Sequence, residues 1–111
     1  MERKATPTSG LTIFQVVASD GRTVRLHEEW CHVHLLGRKR ELAQLTNPIQ
    51  EIERALTHAT DVRPSTSHSN RLMYVGPAIG HGFFGNDCLH VVVEPEQHNK
   101  GFVVTVLMRR A

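Results

Sequence analysis

The chain contains only two cysteines, Cys31 and Cys88, too few for a disulfide framework and consistent with two thiols in a reducing compartment. No apolar run approaches the roughly 20 residues needed to cross a bilayer, so no membrane partner is expected. Met1-Glu2-Arg3-Lys4 leads into polar residues rather than an apolar stretch, which argues against a secretory signal and for a cytoplasmic location. Neither sign of charge dominates. The formal net charge of +2 identifies no partner, because binding to nucleic acid depends on how cations cluster. Internal repeats, low-complexity tracts, a glycine-rich phosphate loop and a nucleophile elbow are all lacking. No histidine or cysteine spacing matches a structural zinc pattern, so the expectation is a protein without metal or other cofactor.

What is present suits one folded unit. A chain of 111 residues can bury a single modest core, and 40% hydrophobic with 22% charged residues is ordinary for a globular protein. Residues 1–10, with Pro7, Ser9 and Gly10 and no periodicity, read as a flexible arm, and residues 11–111 as one domain. Leu11–Ala18 and Arg22–Leu26 flank the turn signal Asp20-Gly21 and predict a hairpin. Glu28 and Glu29 suit the first turn of a helix that Gly37 stops, with Glu41–Leu45 as a short continuation. Asn47-Pro48 is an N-cap with proline at the first helical position. Ile49, Ile52, Leu56 and Ala59 then repeat at helical spacing, with Glu51, Glu53 and Arg54 toward water. Asp61–Pro64 is an edge or irregular strand, because proline cannot donate to a ladder. The order of elements predicts an α+β fold: a hairpin, two helices, then a three- to four-stranded antiparallel sheet with the helices on one face.

The last quarter organises the rest. Asp87–Glu94 and Gly101–Arg109 are rich in β-branched residues and separated by a polar segment, which predicts paired antiparallel strands. Period two places Leu89, Val91 and Val93 with Phe102, Val104, Val106 and Met108 toward the core, and His90, Glu94, Thr105 and Arg109 on the opposite face. If Leu72 and Tyr74 point inward, Arg71 joins that second face. Arg71, His90 and Thr105 on one open surface are therefore the candidate catalytic residues. Eight histidines are many for so short a chain, and each can titrate near neutrality. Cleavage of RNA by the neighbouring ribose hydroxyl needs a base, an acid and a fixed cation, which histidine and arginine on a rigid face supply without metal. Arg71 suits bidentate contact with phosphate. The run Arg38-Lys39-Arg40 suits the flanking backbone. Read as structure alone, Arg71 would pair with Glu94 and His90 would be a packed strand residue.

From Trp30 onward the sequence resembles the barnase, EndoU, colicin and RelE-like (BECR) nuclease group associated with phages and toxin systems. The resemblance lies in Trp30 beside His32-Val33, Ile52-x-x-Ala55-Leu56 leading to Asp61-Val62, Arg71-x-x-Tyr74, and the closing pair Leu89-x-Val91-Val92-Val93 and Gly101–Thr105. It implies a small metal-independent endoribonuclease, toxin-like, with RNA on the uncovered sheet face and an inhibitory antitoxin or immunity protein as partner. By that resemblance His32, Arg71 and Thr105 are site positions and Tyr74 lies against the nucleic acid with Arg38, Lys39 and Arg40; His90 is added from facing alone. Where members of the group carry a second histidine with Pro-Glu-Leu, this chain has Gly37-Arg38-Lys39-Arg40-Glu41-Leu42, which leaves the general base open. The alternative from another class is a non-catalytic module that grips RNA or a protein.

Overall fold

The computed structural model describes residues 12–31, 40–65 and 70–111. The expected arm over residues 1–10 lies outside them. The described elements are β1 (Thr12–Val17), β2 (Thr23–His27), α1 (Arg40–Ala43), α2 (Pro48–Thr57), β3 (Asp61–Pro64), β4 (Leu72–Ala78), β5 (Asp87–Glu96) and β6 (Lys100–Arg110). All six strands form one sheet in the order β1-β2-β6-β5-β4-β3. No described helix is long and apolar enough to cross a membrane.

This corrects the expected architecture. The hairpin is not a separate entrance to an α+β fold with a three- to four-stranded antiparallel sheet; it supplies two strands of a six-stranded mixed sheet with two short helices. β2 runs parallel to β6, with Val24 opposite Gly101 and Arg25 opposite Phe102. Two backbone-level contacts fix that junction: the Thr23 N–H donates to the Asn99 carbonyl at 2.9 Å, and the Asn99 side chain donates to the Gly21 carbonyl at 2.9 Å. Such a pairing joins segments some 75 residues apart, and no local pattern announces it.

The second helix stands where its signals put it. The Asn47 side chain accepts from the Gln50 N–H, Pro48 occupies the first turn, and Ile52, Ala55 and Leu56 are buried. α2 lies across β4, β5 and β1. The approach is close because Gly76 has no Cβ: one built there would sit 2.6 Å from the Ala55 Cβ. Glu51, expected toward water, is instead 9% exposed. The sheet edge on the other side is β3, whose Pro64 suits an edge position.

The core faces α2. Leu89, Val91, Val93 and Val106 are buried there as their spacing predicts. Phe102 and Val104 are not on that row, because a β-bulge intervenes: Val92 pairs with Thr105 and Val93 with Val103, leaving Val104 as the extra residue. One inserted residue exchanges the faces beyond it. Val103 turns inward at 1% exposure and Phe102 turns out opposite Glu94. The Trp30 indole N–H donates to the Val104 carbonyl, satisfying an acceptor that the bulge takes out of the ladder.

Tyr74 is fully buried, and its hydroxyl donates to the Asp20 carboxylate at 2.8 Å. Burial, then the hydrogen bond to Asp20 and the charge of that carboxylate, push the phenol pKa strongly up. A group whose folded pKa is raised contributes stability that is complete below its unfolded value, roughly 10 for tyrosine, and lost as pH rises through the folded value. Denaturant unfolding across pH 9 to 12 is therefore expected to show an alkaline decline that Tyr74→Phe reduces, at a neutral-pH cost of about 1 kcal/mol. Tyr74 is the only tyrosine, so its ultraviolet titration reports this group alone. An ordinary tyrosine midpoint in the folded protein would contradict the assignment.

Candidate nucleic-acid interface

Directly opposed residues in antiparallel strands project to the same side of a sheet. On the side away from α2, β5 presents His90, Val92 and Glu94, and their β6 partners are Leu107, Thr105 and Phe102. β4 adds Val75 opposite His90 and Met73 opposite Val92. β3 adds Asp61 and Arg63, opposite Val75 and Met73. Arg109, opposite Cys88, belongs to the same face. Arg71 reaches it through Glu94, its Nε 2.9 Å from the carboxylate. The expected residues Arg71, His90 and Thr105 thus share one side of the sheet.

They do not form one tight cluster. Glu94 lies four residue steps along the strand from His90, about 13 Å, so the Arg71 guanidinium belongs to the far end. There it lies near a second pair, Arg25 with Glu96 at 2.6 Å. Arg71 and Glu94 are each about a third exposed, at 29% and 30%, so their pairing contributes little to stability and can exchange with a ligand.

The near end has a different character. His90 is half-buried, and burial, then the cations of Arg109 and Arg63, hold its pKa below the usual histidine value. That shift favours the neutral imidazole, the form able to accept a proton. Arg63 pairs with Asp61 at 2.8 Å, half exposed. Arg109 has no carboxylate partner among the described residues; its side chain bonds only the Met108 carbonyl, at 3.3 Å. A neutral imidazole near a guanidinium with no carboxylate partner among the described residues is an arrangement for binding an anion and taking a proton next to it.

The other expected positions divide. His32, Arg38 and Lys39 lie outside the described residues. Arg40 opens α1 and is exposed. Tyr74 is corrected: with its ring in the core and its hydroxyl on Asp20, it offers no surface to a base. Arg63 was the residue that sequence reasoning passed over, since a short segment ending in proline gave no sign that its arginine would stand across β4 from Val92, with its charge felt at His90. Among the described residues no three His, Cys, Asp or Glu side chains are grouped to hold a metal ion.

His27 ends β2 on this same side, only 3% exposed, with neither ring nitrogen finding a hydrogen-bond partner among the described residues. Burial and then Arg25 lower its pKa, partly offset by Glu96. A lowered histidine contributes stability that is present above its unfolded value, roughly 6.5, and lost as pH falls through the folded value. His27→Leu is expected to raise stability by about 1 kcal/mol at pH 7 and to weaken the acid decline between pH 6.5 and 4.5. Melting temperatures measured at both pH values check this, and an unchanged acid decline would contradict it.

Compared with known proteins, the chain matches no family model, no curated protein and no solved structure.

Proposed function

We propose that this chain is a metal-independent endoribonuclease that holds RNA on the sheet face opposite α2. The observation that carries the reading is His90, half-buried on the same face as Arg63 and Arg109, whose cations lower its pKa after burial does. In the proposed reaction His90 takes the ribose 2'-hydroxyl proton, that oxygen attacks the adjacent phosphorus, and the 5'-oxygen leaves with a proton from solvent. Arg109 and Arg63 stabilise the added charge on the phosphorane. Thr105 and Arg71, further along the face, hold the neighbouring backbone, with Arg71 exchanging Glu94 for a phosphate. The chemistry resembles that of the BECR group, and a toxin-like role would require an inhibitory partner that covers this face. Single-turnover cleavage of a short RNA in excess chelator tests it: the expected products carry 2',3'-cyclic phosphate and 5'-hydroxyl ends, and intact RNA would contradict it.

A second reading, a non-catalytic module that grips RNA or a protein, is favoured by the carboxylates facing Arg25, Arg63 and Arg71. Both readings share one expectation. Glu94→Gln frees Arg71 and should tighten RNA binding severalfold, with a salt dependence steeper by about one phosphate contact. Titrations at two salt concentrations measure this; weaker binding by Glu94→Gln would remove Arg71 from the interface.

A further inference from the structure

On the opposite side of the molecule α2 and the segment after β4 enclose an open cleft of about 580 Å³, lined by Glu51, Arg54, Thr57, His58, Ile79 and His81 among others. Its volume falls within the range of small-ligand sites, roughly 300 to 1,000 Å³. Glu51, a buried carboxylate, meets the His81 Nε2 at 3.0 Å and the Arg54 Nη1 at 3.5 Å. His81 stands between Gly80 and Gly82, both in the left-handed region at φ +85° and +72°, a backbone path that glycine takes without strain. That path brings an otherwise exposed imidazole onto the helix.

The contacts show which ring nitrogens are engaged. His81 meets Glu51 through Nε2, which leaves Nδ1 as its other ring nitrogen. The Thr57 hydroxyl donates to the Glu53 carbonyl at 3.1 Å and lies 2.9 Å from His58 Nδ1, which leaves Nε2 as the other ring nitrogen of His58. Glu51, Arg54 and His58 follow one another at helical spacing, with Arg54 about 4.5 Å along the axis from Glu51 and about 6 Å from His58. Arg54 also donates Nη1 to the Ala78 carbonyl at 3.2 Å, and it lines the same cleft as the two histidines.

We propose that this cleft is a second site, one that hydrolyses a phosphodiester of mononucleotide size, with His81 as base, His58 as acid and Arg54 on the phosphate. A singly charged diester suits it better than a doubly charged monoester, because Glu51 and Glu53 both line the cleft. In the step, water gives a proton to His81 Nδ1 as its oxygen bonds to phosphorus. For a 2',3'-cyclic nucleotide, the bond from phosphorus to O2' breaks, and O2' takes the proton of the His58 imidazolium. The product is a 3'-phosphomonoester with a free 2'-hydroxyl, and the two imidazoles exchange protons with solvent to reset. Such a cyclic diester is what 2'-hydroxyl cleavage of RNA releases, so the cleft would consume the product of the reaction proposed for the sheet face. Glu51 is a positioning residue, acting through His81.

The test is phosphorus NMR of 2',3'-cyclic CMP incubated with the full chain in chelator. It needs no RNA cleavage, so its outcome is separate from that of the nuclease reading. Saturable hydrolysis is expected. His81→Ala and His58→Ala should each lower kcat/KM at least a hundredfold at unchanged melting temperature, and added imidazole should partly restore His81→Ala. Glu51→Gln should lower kcat with KM nearly unchanged. Hydrolysis no faster than in buffer, or His81→Ala at the wild-type rate, would overturn the proposal.

Discussion

His90→Ala is expected to lower single-turnover RNA cleavage at least a hundredfold while leaving the melting temperature within a few degrees of wild type. General-base catalysis by a positioned side chain typically contributes 10²- to 10⁴-fold, so loss of the proton acceptor should be felt at this scale. Folding should tolerate the change because His90 is only half-buried and its side chain makes no hydrogen bond among the described residues. The wild-type rate should also fall as acid protonates His90. Since burial and the cations of Arg109 and Arg63 lower its pKa, that fall should begin below the usual histidine value rather than above it. Rates of wild type and His90→Ala between pH 4.5 and 8, beside melting curves, measure both effects. A variant that melts early yet cleaves at full rate would make His90 a packing residue and leave the binding-module reading.

The second large effect concerns the contact on which the fold closes. Gly76→Ala is expected to destabilise the protein by about 3 kcal/mol or more, at the upper end of overpacking costs, and Gly76→Val to prevent folding. A Cβ at this position would lie 2.6 Å from the Ala55 Cβ, 2.9 Å from the Ala55 Cα and 3.2 Å from the Leu89 carbonyl oxygen. None of those atoms is the end of a flexible side chain, so α2 must move off the sheet and uncover Ile52 and Leu56. Ala55→Gly in the same chain removes the nearest of the three and should recover part of the loss. Denaturant unfolding of the two single variants and the double variant reads this; equal stability of Gly76→Ala and wild type would mean that the helix does not rest on β4.

How far the sequence could be read follows from the range of each signal. Asn47-Pro48 and the spacing of Ile52 and Leu56 are local, and α2 forms where they put it. Asp20-Gly21 likewise marks the turn between β1 and β2. The joining of β2 to β6 depends on Asn99 meeting Gly21 and Thr23 across the chain, which no window of residues contains. The bulge at Val104 was hidden for another reason. Valines at 103, 104 and 106 are all apolar, so the pattern survives a one-residue shift and does not say which of them faces inward. Facing at His90, Glu94 and Thr105 was legible, because β5 carries no bulge and Thr105 lies on the unshifted side. Partners were harder. Arg63 looked like the end of an edge segment, and Glu51 sat on a helix position that reads as solvent-facing until His81 arrives from a loop 30 residues away.

The central claim is that the face opposite α2 holds RNA. Its most direct test is a heteronuclear NMR titration of the labelled chain with a short single-stranded RNA at low salt. Backbone amide shifts are expected to centre on Arg63, His90, Val92, Thr105 and Arg109, extend to Arg71 and Glu94, and fade with added salt. Shifts confined to α2 and residues 79–86, or none at saturating RNA, would contradict it.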